Sequence, residues 1–135
     1  MKLTHIPTHF IAQIWDKVAP FLSNALEYAE NDYNVDQIKV YLSTGQWILI
    51  AVQNEKDEVV GALTVSFSNF PNDRIAFVTA IGGKLISGQD TYKQLINILK
   101  CFGATKIQGA ARKSVVRLWQ RLGFKERHII VEAKI

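Results

Sequence analysis

Apolar positions recur along this chain with two different periods, and the switches between them outline a fold. Residues Lys2–Ile6 read as an opening strand. After Pro7, the residues Phe10, Ile14, Val18, Phe21/Leu22, Ala25/Leu26 and Ala29 recur at helical spacing. Pro20 lies inside that stretch and is expected to kink or divide it. Asn31–Asn34 reads as a loop. Val35, Ile38 and Leu42 predict a short second helix stopped at Ser43-Thr44-Gly45. A meander follows: an apolar, β-branched strand over Gln46–Gln53, a turn at Asn54–Asp57 and an alternating strand over Glu58–Phe70. In the last of these, Leu63, Val65 and Phe67 face one way and Ala62, Thr64 and Ser66 the other. After a turn at 69–73 comes a strand over Arg74–Ile81.

The remaining chain predicts helix, strand, helix, strand. Tyr92, Leu95, Ile96 and Leu99 form the stripe of a helix over Asp90–Phe102, with Gly103 as its C-terminal stop. Thr105–Ala110 is a short strand, Lys113–Leu122 a helix ended by Gly123, and Phe124–Lys134 a closing strand. The expected architecture is α/β (α+β): a mixed, mostly antiparallel sheet of about six to seven strands, with helices on both faces.

With 135 residues, 48% apolar and 21% charged, the chain reads as one globular domain spanning 1–135. The longest apolar run, Trp47–Val52, is too short to cross a bilayer, and Met1–Pro7 lacks the features of a secretory signal. A cytoplasmic location is therefore expected. The lone Cys101 can form no internal disulfide and reads as an inert helix core position. The net charge of +4 is uneven: Lys106, Arg112, Lys113, Arg117, Arg121, Lys125, Arg127 and Lys134 crowd the end of the chain. Such a run is either a solvated face or a surface that attracts a polyphosphate. His5 and His9 have no cysteine or carboxylate at metal-ligand spacing, so no metal is expected.

One segment suggests chemistry. The strand containing Val78 runs into Gly82-Gly83-Lys84-Leu85-Ile86-Ser87-Gly88 before a helix begins. Glycines allow backbone N–H groups close to an anion, a helix N-terminus adds about half a positive charge, and Lys84 adds a full one. The same residues admit a structural reading, in which the glycines only turn the chain and Ser87–Asp90 is a capping box.

Near the C-terminus, Arg112-Lys113-Ser114-Val115-Val116-Arg117-Leu118-Trp119-Gln120-Arg121-Leu122-Gly123-Phe124 resembles the signature Asn-x-x-Ala-x-x-Leu-Tyr-x-x-x-Gly-Phe of the GCN5-related N-acetyltransferase (GNAT) superfamily. Gly103-Ala104-Thr105-Lys106-Ile107 is similar to that family's link between its coenzyme-binding helix and the next strand. The order of elements fits the family along nearly the whole chain, and the chain resembles in particular the short, divergent acetyltransferase-like proteins of tailed bacteriophages.

The resemblance implies an N-acyltransferase using acetyl-coenzyme A. The pyrophosphate would lie on the loop around Gly83, Lys84, Ser87 and Gly88, with Arg112 nearby, and the pantetheine arm along Phe77, Val78, Thr79 and Ala80. The implied partners are coenzyme A and an amine acceptor, small molecule or protein, with a homodimer or an assembly of phage proteins left open.

In the family's Gln/Arg-x-x-Gly-x-Gly/Ala loop, Gly83 replaces Gln/Arg and Ile86 the first glycine, while Gly88 agrees. Trp119 stands where many members carry the Tyr that protonates the departing thiolate, and an indole N–H can only donate a hydrogen bond. Trp119 also fits a buried stripe with Val115 and Leu122. Glu27, Glu30 and Asp32 lie on the expected acceptor side and could take a proton through water. His128 could face the site from the last strand. Two alternatives compete: a GNAT fold without catalysis, serving as an interaction or virion part, and a nucleic-acid-associated module on the basic C-terminal face.

Overall fold

The computed structural model describes residues 1–27, 32–83 and 88–135. Five strands form one sheet in the order β1 (Lys2–Ile6), β2 (Trp47–Gln53), β3 (Val59–Asn69), β4 (Arg74–Gly83) and β5 (Lys106–Gly109). The first four are antiparallel, and β5 pairs parallel to β4. The parallel step requires a crossover, supplied by α3 (Gln89–Cys101).

Alternation along the central strands produces two cores, because successive side chains of a strand point to opposite faces. On one face Ile48, Ile50, Leu63, Val65, Ala76 and Val78 pack against Leu95 and Leu99 of α3. On the other, Leu49, Ala62 and Ala80 meet Ile11, Trp15, Val18 and Leu22 of α1 (Ile11–Leu26), with Ile38 and Leu42 of α2 (Val35–Ser43). At the start of α2 the Asn34 N–H donates to Gln37 Oε1 and the Gln37 N–H to Asn34 Oδ1, both at 2.9 Å. This reciprocal box satisfies two donors that a helix start otherwise leaves open.

Three expectations are corrected. The sheet has five strands among the described residues, because 124–135 form no strand and, beyond Phe124, lie exposed without a ladder. Pro20 does not divide α1: it faces solvent, while the buried row Ile11, Trp15, Val18 and Leu22 holds the helix on both sides of it. Cys101 is exposed, because it sits off the Leu95–Leu99 stripe at the end of α3. The N-cap of α3 is Gly88. Ser87, which the expected box requires, lies outside the described residues, as does Ala29.

Candidate functional site

The site begins where β4 and β5 part. Their pairing runs from Ile75↔Lys106 to Val78↔Gly109 and stops there. At the same level β4 bulges: Thr64 of β3 lies opposite Ala80 and Val65 opposite Val78, leaving Thr79 as the extra residue. A bulge bends its strand and frees one residue from the ladder. From Thr79 to Gly83, β4 therefore has β3 on one side and no strand on the other among the described residues.

Thr79 is held from two directions. Its hydroxyl shares a 2.7 Å hydrogen bond with that of Thr64, whose side chain is fully buried, and its backbone carbonyl accepts from the Tyr33 hydroxyl at 3.0 Å. The Tyr33 ring stands edge-on to Trp47 at 5.1 Å. Burial, and secondarily the negative charge of Asp32, raises the Tyr33 pKa, so the phenol keeps its proton. Tyr33 escaped the sequence reading because its partner lies 46 positions away. Its one signal was an aromatic residue in a polar loop.

The glycines at the end of β4 serve packing. A Cβ on Gly82 would stand 2.1 Å from the Phe21 carbonyl oxygen, and one on Gly83 2.4 Å from the Val60 carbonyl oxygen. Gly83 also has φ +84°, a conformation that favours glycine. The pair thus lets α1 rest directly on β4, and Gly83 is the last residue of that strand.

On the opposite face, α4 (Lys113–Gln120) places Trp119 against β5. A Cβ on Gly109 would meet its ring at 2.8 Å, so Gly109 makes room for the indole. The Trp119 ring also contacts Phe124 at 5.3 Å, and Phe124 lies 5.7 Å from Tyr92. These residues, with Val78, Ile81 and Leu122, leave a cavity of about 20 Å³. That is room for roughly one water.

The structure brings Thr79, Ala80 and Gly83 to the free edge of β4. It places Phe77 and Val78 elsewhere: opposite Gln108 and Gly109, where β5 already occupies the edge. An added strand or pantetheine-like arm fits only beyond them. Gly88 begins α3, and the Gln89 side-chain amide donates to the Arg121 carbonyl at 3.4 Å, holding the end of α4 beside the α3 N-terminus. Arg121 thereby joins the candidate positions. Arg112 is the exposed N-cap of α4, its carbonyl accepting from the N–H groups of Val115 and Val116. Glu27 is exposed at the C-cap of α1. Glu30, Lys84 and Ser87 lie outside the described residues. Asp32 is exposed beside the Tyr33 loop, and His128 is exposed on a segment that is not a strand. Among the described residues no group of three His, Cys, Asp or Glu side chains could hold a metal, and no helix is long and apolar enough to cross a membrane.

No family model matches this sequence, and no curated protein matches it. Solved structures do. A probable acetyltransferase superposes with a TM-score of 0.71 at 11% identity, covering 100% of this chain and 97% of its own. An aminoglycoside acetyltransferase from an uncultured soil metagenomic sample gives 0.68 at 15% identity, covering 99% and 97%. A "predicted acetyltransferase" of Clostridium acetobutylicum, solved with acetyl-CoA, gives 0.67 at 14% identity, covering 98% and 95%. At these identities the likeness establishes the fold alone: this chain has the mixed α/β fold of GNAT-type acetyltransferases along nearly its whole length.

Proposed function

We propose that the protein is an acetyl-CoA-dependent N-acyltransferase acting on an amine. The observation that carries this reading is the parting of β4 from β5 after Val78 and Gly109, at the Thr79 bulge. It leaves a strand edge along Thr79–Gly83 in the chain that continues to the start of α3 at Gly88. A pantetheine arm carries amide groups that can pair with such an edge like an added strand, and a pyrophosphate suits a helix N-terminus. In this reading Lys84, Ser87, Gly88, Arg112 and Arg121 surround the phosphates.

The reaction needs orientation more than reactive groups. The amine nitrogen bonds to the thioester carbonyl carbon and the C–S bond breaks. One proton leaves the nitrogen, and the thiolate takes one up. Glu27 or Glu30, acting through water, receives the first. For the second, Trp119 offers only a hydrogen bond, whereas the protonated Tyr33 phenol reaches the bulge from the other face. Tyr33 is thus the better proton donor. The test is release of free coenzyme A thiol from acetyl-CoA in the presence of a panel of primary amines. Amine-dependent release that falls at least tenfold in Tyr33→Phe supports the reading. No release with any amine, from protein that binds acetyl-CoA, removes the catalytic part of it.

A second reading has its own observation. Trp119 packed on Gly109 leaves only about 20 Å³ behind the split. This favours a GNAT fold that has given up catalysis and serves as an interaction part, a virion component if the chain is phage-encoded. Loss of acetyl-CoA binding altogether would select it.

A further inference from the structure

On the sheet face that carries α1 and α2, one row of side chains crosses the strands in register. Trp47 of β2 stands opposite Ser66 of β3, Ser66 opposite Phe77 of β4, and Phe77 opposite Gln108 of β5. Alternation puts all of them on this face, because their neighbours Ile48, Val65, Val78 and Ile107 pack on the α3 side. Each member of the row is half-buried, so solvent reaches it. The adjacent row, Leu49 and Thr64, is fully buried and ends at Thr79, whose hydroxyl bonds to that of Thr64 at 2.7 Å.

The row is aromatic at two positions and small between them. Trp47 is fixed by two further rings, Tyr41 stacked on it at 4.6 Å and Tyr33 edge-on at 5.1 Å. Phe77 belongs to neither core of the sheet. Neighbouring strands lie about 4.8 Å apart, so the backbones of Trp47 and Phe77 flank Ser66 at a separation of about 9.6 Å. A flat ring touching a wall on each side needs about 7–8 Å between them. Ser66 leaves that space free, and a leucine there would fill it.

The slot also has a direction. Tyr33 joins its Trp47 wall to the Thr79 carbonyl, at 3.0 Å, where β4 and β5 part. Phe77 and Thr79 are two residues apart along the strand, a rise of about 6–7 Å. An amine on a two- or three-carbon linker spans that rise. The side chains of the row are uncharged, and Lys106, one row further from the split, is paired with Asp73 at 3.0 Å. Asp32, exposed next to Tyr33, puts a negative charge beside the slot.

We infer that this slot takes the acceptor, and that the acceptor is a primary amine joined by a short linker to a flat aromatic body. The inference rests on the proposed acyl transfer at the split and adds the substrate class to it. The aromatic body enters between Trp47 and Phe77 over Ser66, where ring faces and edges recognise it. The linker passes Tyr33, and the nitrogen arrives at Thr79 with a single positive charge for Asp32 to attract. A polycation would leave its remaining charges against uncharged walls.

The test compares phenethylamine and tryptamine with butylamine, which has the charge without the ring, and with kanamycin, a polycation. In the presence of acetyl-CoA, kcat/KM for the aromatic amines should exceed that for the other two at least tenfold. Ser66→Leu should raise the KM for phenethylamine at least tenfold while the Kd for acetyl-CoA stays within twofold. Equal or better use of butylamine or kanamycin would overturn the inference and leave the acyl transfer standing. Binding is read separately, without coenzyme, from the fluorine spectrum of chain labelled with fluorotryptophan, the Trp47 line being assigned with Trp47→Phe. Phenethylamine should shift that line saturably in the parent and not in Ser66→Leu. A saturable shift in a chain that does not bind acetyl-CoA would uphold the slot and remove the transferase reading. An unmoved Trp47 line, or a Ser66→Leu chain that binds the amine as the parent does, would overturn the slot.

Discussion

Replacing Gly82 with alanine tests how α1 is seated on the sheet, and with it the position of the candidate site. The added Cβ would lie 2.1 Å from the Phe21 carbonyl oxygen and 2.9 Å from its carbon. Both are backbone atoms of a helix, so no side chain can swing away. Relief requires α1 to retreat by about 1 Å, and a gap of that size forfeits a quarter to a half of the dispersion energy across it. Val18 and Leu22 of α1, both fully buried, belong to the core that this helix shares with Ala62 and Ala80 of the sheet. Overpacking strain of about 1–3 kcal/mol, together with the loosened contacts of these two side chains, gives a destabilisation of roughly 3–4 kcal/mol. For a chain of 135 residues the unfolding entropy is roughly 0.28 kcal/mol/K, so Tm should fall by about 10–14 °C. Gly88→Ala is the control, since its Cβ meets only Thr91 Oγ1 at an ordinary 3.7 Å. It should cost less than about 1 kcal/mol and about 4 °C. Thermal melts followed by circular dichroism measure both. A Gly82→Ala variant melting within about 4 °C of the parent would refute the seating of α1 on β4.

Three further outcomes are expected. Asn34→Ala breaks the capping box of α2 and should cost about 1 kcal/mol, read as a Tm loss of about 3–4 °C, while Asp36→Asn leaves the box intact. Burial against Phe102 holds the His5 pKa below its usual 6.5. The unfolded chain therefore binds the proton first, and stability present above pH 6.5 is lost as pH falls toward the folded-state value. His5→Phe should flatten that part of a Tm-against-pH curve, and an unchanged slope would count against the burial of His5. Gly109→Ala drives a methyl into the Trp119 ring and should shift the tryptophan emission, destabilising by about 1–3 kcal/mol if α4 cannot move aside.

Much of the architecture was legible because local signals and burial agree. The two faces of β3 are as its alternation predicts, and Gly45, Gly103 and Gly123 stand just past α2, α3 and α4 with positive φ. The illegible parts depend on partners distant in sequence. Ile129–Val131 has strand composition, but a strand also needs a partner edge, and these residues pair with none and lie exposed. Gly82 and Gly83 look like a phosphate loop because glycine permits close approach of any backbone, here that of α1 and β3. Gly109 gave no local cue, since its reason is the Trp119 ring. At the site, the sequence reading pointed to the end of β4 and the start of α3 as the place for a coenzyme. It extended the free edge back to Phe77 and Val78 because the stopping point of a parallel pair is set by where β5 ends.

In the proposed function, the split beyond Val78 and the start of α3 take up an acyl-coenzyme A. Titration calorimetry of the full chain with acetyl-CoA tests it most directly. The account predicts saturable one-to-one binding and, at a hundredfold excess over Kd, stabilisation by about 2.7 kcal/mol, seen as a Tm rise of roughly 10 °C. Gly88→Glu, which sets a carboxylate against the pyrophosphate, should abolish both while leaving the apo protein folded. A folded parent chain that gives no heat and no Tm change at millimolar acetyl-CoA would contradict it.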